Sequence, residues 1–216
     1  MAATRKPSLA CSGPFNGDPI RSFDRTHRQY QLFIKIKEEL NSAGICIEET
    51  SCANSGAIEQ NISLEETHIR PGLMLYGPNC GLKNSLWKGR PISCFQTEVI
   101  KIFPVKKGTP IGYGSHIVGK DGFIVYLPIG YGDGVLTYYT GNHFEFNGTK
   151  AQIIGRVNMD LTALFFENLP TNIQVGSKLS LWNENDDIPE LAARLKTSPY
   201  QIFTALSNRV PRRYLQ

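Results

Sequence analysis

Tyr131 lies in Tyr126-Leu-Pro-Ile-Gly-Tyr-Gly-Asp-Gly134, where an apolar run gives way to alternating glycines. Glycine removes side-chain bulk and admits backbone angles closed to other residues. A tyrosine framed in this way can project from a tight turn and present a hydroxyl that both donates and accepts. A second phrase, Ile154-Gly-Arg-Val-Asn-Met-Asp160, also closes an apolar run with polar residues and places Met159 among them. A third, Arg70-Pro-Gly72, runs into Leu73-Met-Leu-Tyr-Gly77 and offers a permanently charged guanidinium. A fourth, Ser198-Pro-Tyr200, leads toward Asn208-Arg-Val-Pro-Arg212. Taken singly, each has a plain structural reading: a strand-ending turn, a strand end, a surface cation, a capped helix and its exit.

These phrases need elements to hold them. Leu32, Phe33, Ile36 and Leu40 recur at helical spacing, so Tyr30–Leu40 is expected as an amphipathic helix ending near Gly44. Ile45–Thr50 reads as a strand, Ala53-Asn-Ser-Gly56 as a turn before a short helical stretch, and Leu73–Tyr76 as a second strand. That alternation is the rhythm of parallel α/β structure. After Pro78 strand signals dominate: Phe95–Phe103, Phe123–Leu127, His143–Phe146, Ala151–Ile154, Leu161–Phe166 and Lys178–Trp182. Lys107-Gly108, Asp121-Gly122, Asn147-Gly148 and Val175-Gly176 punctuate them as turns. Late helices are expected over Ile188–Leu195 and from Ser198-Pro199 to before Pro211. The fold class is thus an α/β remnant followed by a mainly β domain. Two parallel strands with one or two helices cannot bury their own faces, which reads as a piece of a larger sheet.

Composition narrows the function classes. Of 216 residues 41% are apolar and 19% charged, a globular balance, and the net charge is +4. Lys and Arg are scattered, so no nucleic-acid partner is expected. The five cysteines, Cys11, Cys46, Cys52, Cys80 and Cys94, include no pair at zinc-ligand spacing, so no metal is expected and reduced thiols in a cytoplasmic protein are. Neither a secretory leader nor a membrane span is expected, and residues 1–25, rich in Pro, Gly, Ser and charge, read as a poorly ordered tail.

Six phrases in order resemble the alanine racemase family: Ala53-Asn-Ser55, Ile69-Arg-Pro-Gly72 with Leu75-Tyr-Gly77, Ile111-Gly-Tyr-Gly114, Pro128–Gly134, Gly155–Asp160 and Arg209-Val-Pro-Arg212. The resemblance spans about residues 28–216. It implies the last strands of a TIM-like barrel over 26–84, a C-terminal β domain over 85–216, and an unassigned tail over 1–25. It further implies a pyridoxal 5'-phosphate enzyme that interconverts L- and D-alanine for cell-wall peptidoglycan. Asn54 and Ser55 would face the cofactor phosphate at the end of the seventh barrel strand, with Tyr200 also contacting it. Arg70, on the eighth strand, would meet the pyridine nitrogen. Tyr131 would be the acid/base on one face of the substrate α-carbon, and the Met159 backbone would contact the substrate carboxylate. Tyr131 and Met159 would serve the other subunit of a homodimer.

The departures carry equal weight. The family's Schiff-base lysine, in a phrase like Lys-Ala-Asn-Ala-Tyr-Gly, does not occur here, and neither do the strands around it. Gly132 stands where alanine is usual, and Leu161 where glutamine is common. A truncated chain, inactive alone, is therefore expected. Its alternatives are the complementing half of a split racemase, its barrel supplied by another chain, and a non-catalytic partner-binding β domain. Gly77-Pro-Asn-Cys80 faintly resembles the cysteine motif of amino-acid decarboxylases, but Gly81 follows in place of an acidic residue.

Overall fold

In the computed structural model, the described residues are 8–10, 19–80, 85–146 and 148–215, with side chains described from residue 25 within the first helix. The chain divides into two compact units, Met1–Arg90 and Pro91–Gln216.

The first unit contains β1 (Ser8–Ala10), α1 (Pro19–Ser42), β2 (Glu49–Asn54), α2 (Ser55–Glu59), β3 (His68–Arg70) and a 3₁₀ turn over Leu73–Tyr76. Its strands pair in parallel in the order β1-β2-β3. Tyr30 and Phe33 of α1 pack with Ala53, Ala57 and Ile62, and Leu9 of β1 joins the edge of that cluster. Several expectations are corrected here. The tail read over 1–25 contains a strand paired with β2 and the first turns of α1; residues 1–7 and 11–18 lie outside the described residues. The strand read over Ile45–Thr50 lies instead at Glu49–Asn54. Small residues that read as a turn suit a strand packed beneath a helix, as the fully buried Ala53 shows. Leu73–Tyr76 is a helical turn rather than a strand, and β3 precedes it. Pro71 cannot donate to a ladder and Gly77 adopts φ +101°, so the apolar run is bracketed by residues that end strands. Periodicity alone cannot separate a four-residue apolar strand from a helical turn.

The second unit is antiparallel. Strands β5 (Lys101–Val105), β8 (Gly122–Leu127), β11 (Thr162–Phe166), β10 (Thr149–Ile154) and β9 (His143–Phe146) form one sheet in that spatial order. β4 (Phe95–Glu98) pairs with β12 (Lys178–Trp182), and β6 (Pro110–Ile111) pairs with β7 (His116–Ile117). Helices α3 (Ile188–Arg194) and α4 (Pro199–Thr204) follow, capped by Asp187 and Ser198. The five-stranded sheet is buried on both faces. Val125, Leu127, Ile153, Leu164 and Phe166 join one core with Trp182, Ile188 and Ile202. Their neighbours Ile124, Ile154 and Ala163 join a second core with Ile111 and Val118 from around the β6–β7 hairpin. Two-sided burial explains why β8 and β11 read as continuous apolar runs rather than alternating ones. The run expected as one strand over Phe95–Phe103 is two strands belonging to different sheets, β4 and β5. No described helix is long and apolar enough to cross a membrane.

Candidate functional site

The residues singled out in the sequence divide between the two units. In the first, β2 and β3 run in the same direction, so their C-terminal ends lie side by side, and Asn54 is register partner to Arg70. Asn54 accepts a hydrogen bond from the Ala57 N–H at 3.1 Å and thereby caps α2. Ser55 opens that helix and is buried. Its Oγ accepts from the Gly72 N–H at 2.8 Å and lies 3.4 Å from the Met74 N. A hydroxyl whose lone pairs take backbone N–H groups keeps its own proton to donate. The Arg70 guanidinium donates through Nη1 to the Ser51 carbonyl at 2.8 Å and to Ser51 Oγ at 2.9 Å. Those bonds fall where the β2–β3 register shifts, between Ser51 and Asn54. The Ser55 hydroxyl, the amides at the start of α2 and the Arg70 guanidinium thus gather hydrogen-bond donors at one corner of this unit, a set suited to an acceptor-rich or anionic group. Ser51 was not singled out in the sequence; a serine in a strand carries no signal until its neighbour across the ladder is known.

In the second unit, Tyr131 and Met159 are each half exposed, at 49% and 51%. Two backbone bonds join their loops: Tyr131 N–H to the Asn158 carbonyl and Gly132 N–H to the Met159 carbonyl, both at 2.9 Å. The contact is close because Gly130 has no side chain; a Cβ there would lie 2.0 Å from the Asn158 oxygen. Asp133 is buried, and its Oδ2 accepts from the Gly130 N–H at 2.9 Å. Its Oδ1 lies 3.4 Å from Arg209 Nε. Thr162, buried at the start of β11, donates to the Ile129 carbonyl at 2.7 Å and ties the turn to the sheet. The hairpin phrase Ile111–Gly114 meets the same loop: Gly155, at φ +68°, leaves a Cβ position 3.3 Å from the Ile111 oxygen. Four sequence phrases distant in the chain are thus one surface of this unit. Tyr200 lies in the first turn of α4 and is partly exposed. Asp133 and Arg209 lay inside quoted phrases, but nothing in their spacing, 76 residues apart, signals that they pair.

Comparison with known proteins follows the same division. Residues 92–214 match "Alanine racemase, C-terminal domain", and residues 9–80 match "Alanine racemase, N-terminal domain". The second match begins well before residue 28, in keeping with β1. Among curated relatives, alanine racemase 2 of Caldanaerobacter subterraneus is 31% identical over 200 residues, 89% of this chain and 51% of the relative. The alanine racemase of Clostridium novyi is 30% identical and covers 100% of this chain and 58% of its own length. The chain therefore spans little more than half the length of these relatives. Among solved structures, alanine racemase from Bacillus anthracis with bound L-Ala-P superposes with a TM-score of 0.81 at 27% identity, covering 98% of this chain and 55% of that one. That of Bartonella henselae, with covalently bound pyridoxal phosphate, gives 0.75 at 25%, covering 88% and 52%.

Proposed function

From the premise that the chain belongs to the alanine racemase family of isomerases, we propose that it supplies the tyrosine half of a two-base racemase acting on alanine, for the peptidoglycan supply of the cytoplasm. The observation that carries this reading is the Tyr131 turn, bonded through its backbone to the Met159 loop. Racemisation removes a proton from one face of the α-carbon and returns one to the other, so two acid/base groups are required. Tyr131 Oη is the group on one face. The Met159 backbone holds the substrate carboxylate and sets which face is presented. The second group is the lysine of a phrase this chain does not contain.

Residues 26–84 are read as the last strands of the cofactor-binding barrel, and 85–216 as the β domain. In the first, Ser55, Asn54 and the α2 amides would hold the phosphate of pyridoxal 5'-phosphate, and Arg70 would face the pyridine nitrogen. The Ser55 proton left over from its backbone bonds fits that role. A guanidinium does not readily give up its proton, so Arg70 keeps the ring nitrogen unprotonated. When bound, the cofactor withdraws electron density from the α-carbon and acidifies its proton.

The partner is a homodimer mate or a chain supplying the rest of the barrel. The split reading is favoured by the three-stranded parallel sheet, in which β1 and β3 are both edges among the described residues. The test is to assemble this chain with a full-length relative whose matching tyrosine has been changed to phenylalanine. Racemisation returns in the mixture but not with Tyr131→Phe, while this chain alone racemises nothing and yields no borohydride-reducible adduct with pyridoxal phosphate. Equal rates with and without Tyr131 would favour the non-catalytic, partner-binding reading.

A further inference from the structure

Arg209 lies 77 residues from Gly132 of the Tyr131 turn in sequence but against it in space. A Cβ on Gly132 would fall 2.4 Å from Arg209 Nη1, so the guanidinium fills the volume a side chain at 132 would take. Arg209 Nε faces Asp133 Oδ1 at 3.4 Å, and the other Asp133 oxygen closes the turn on the Gly130 N–H. The Asp133 side chain is 9% exposed, so this pair is partly desolvated and less screened than a surface pair. The segment carrying Arg209 is itself fastened. Ser207 N–H points to the Asp133 carbonyl at 3.4 Å, and Gly134 would meet Leu206 at 3.0 Å through a Cβ. Arg212 folds back to donate to the carbonyls of Ser207 at 2.6 Å, Val210 at 2.8 Å and Leu206 at 3.1 Å.

We infer that Arg209 is a positioning residue for Tyr131. Its guanidinium occupies the space opened by Gly132, pairs with the buried carboxylate that closes the turn, and so couples the C-terminal segment to the orientation of the tyrosine. Arg209 acts through Asp133 and Gly132 and need not touch substrate. In this chain the guanidinium takes the space a side chain at 132 would occupy, and an alanine there would require the flexible end of Arg209 to shift. The inference rests on the reading of Tyr131 as the proton-transferring group, but its test reads geometry and is independent of turnover.

The full chain carrying 3-fluorotyrosine is compared by ¹⁹F NMR, with the Tyr131 line assigned by Tyr131→Phe, and by amide hydrogen exchange. Variants are Arg209→Ala, Arg209→Lys, Asp133→Asn and, as a control on the exposed side of β10, Lys150→Ala. Loss of a charge-assisted contact should raise exchange at the Tyr131 and Gly132 amides about tenfold in Arg209→Ala. The Tyr131 line should broaden or split in Arg209→Ala and Asp133→Asn, recover largely in Arg209→Lys, and stay unchanged in Lys150→Ala. Ladder amides of β8 and β11 should keep their protection throughout. An unmoved Tyr131 line in Arg209→Ala would overturn the inference. So would exchange rising equally in the ladder, which marks Arg209 as a general stabiliser. A positive result here with no catalytic effect of Tyr131→Phe would retain the positioning and discard the catalytic reading.

Discussion

In the second unit the central sheet is covered on both faces by this chain's own residues, one face by Trp182, Ile188 and Ile202, the other by Ile111 and Val118. In the first unit three parallel strands share one small cluster around Tyr30 and Phe33, while Ile69, Leu75 and Tyr76 stand 47%, 62% and 51% exposed. Parallel sheets are ordinarily covered on both faces. The comparison teaches where each half of the proposed chemistry stands. The Tyr131 turn is anchored in a unit with a complete core. The Ser55–Arg70 corner sits on a sheet whose outer strands β1 and β3 each have one edge unpaired among the described residues, and the proposed barrel partner would pair with them.

The largest expected effect tests the first half of that contrast. Phe166, fully buried between the strands and the helices, anchors the main core. Phe166→Ala should lower the stability of the second unit by about 3–5 kcal/mol in urea unfolding. A loss under about 1 kcal/mol would mean that core is not the source of the unit's stability. Thr162→Val should cost less, about 1–3 kcal/mol, because it leaves the Ile129 carbonyl buried without its donor. It should also loosen the Tyr131 amide before the ladder amides of β11, which hydrogen exchange would read.

The smallest effect separates the units by pH. Burial first, and then its hydrogen bond to Glu65, push the Tyr30 hydroxyl above its ordinary pKa of 10.0. The same bond holds the Glu65 carboxyl below its ordinary 4.5. A depressed carboxyl contributes stability that is present above 4.5 and lost as pH falls through the folded value. A raised tyrosine contributes stability present below 10.0 and lost as pH rises from there toward its folded value. Burial raises Tyr139 in the second unit too. The backbone N–H of Lys107 first, and then Lys106, hold Asp121 beside β8 below its ordinary value too, but that carboxyl is exposed. Acid should therefore loosen α1 and the Glu65 loop more than the second unit, whereas alkali should weaken both units. Residue-resolved exchange across the acid range would check this, and equal acid loosening of β8 and β11 would contradict it.

The second unit was the more readable from sequence. His143–Phe146 and Lys178–Trp182 are the strands their residues announce, because alternation and flanking turn pairs act locally. The hairpin of β6 and β7 is silent in the sequence, since two-residue strands carry no periodicity. In the first unit, the position of β2 and the helical turn at Leu73–Tyr76 are not legible locally, because parallel pairing and helix cover decide those segments. The phrases around Tyr131, Met159 and Arg70 were visible as residue types. Their partners Asp133, Arg209 and Ser51 were not, because each contact joins segments separated by a turn, a strand or most of the unit.

The central claim is that Tyr131 moves a proton at the α-carbon of alanine for an assembled site. Its most direct measurement is deuterium entry at that carbon, in heavy water, by the mixed assembly with the tyrosine-deficient relative, started separately from L- and D-alanine. The account predicts that Tyr131 restores exchange from both enantiomers, and that Tyr131→Phe abolishes exchange from one far more than from the other. Equal exchange from both enantiomers with either side chain would contradict it.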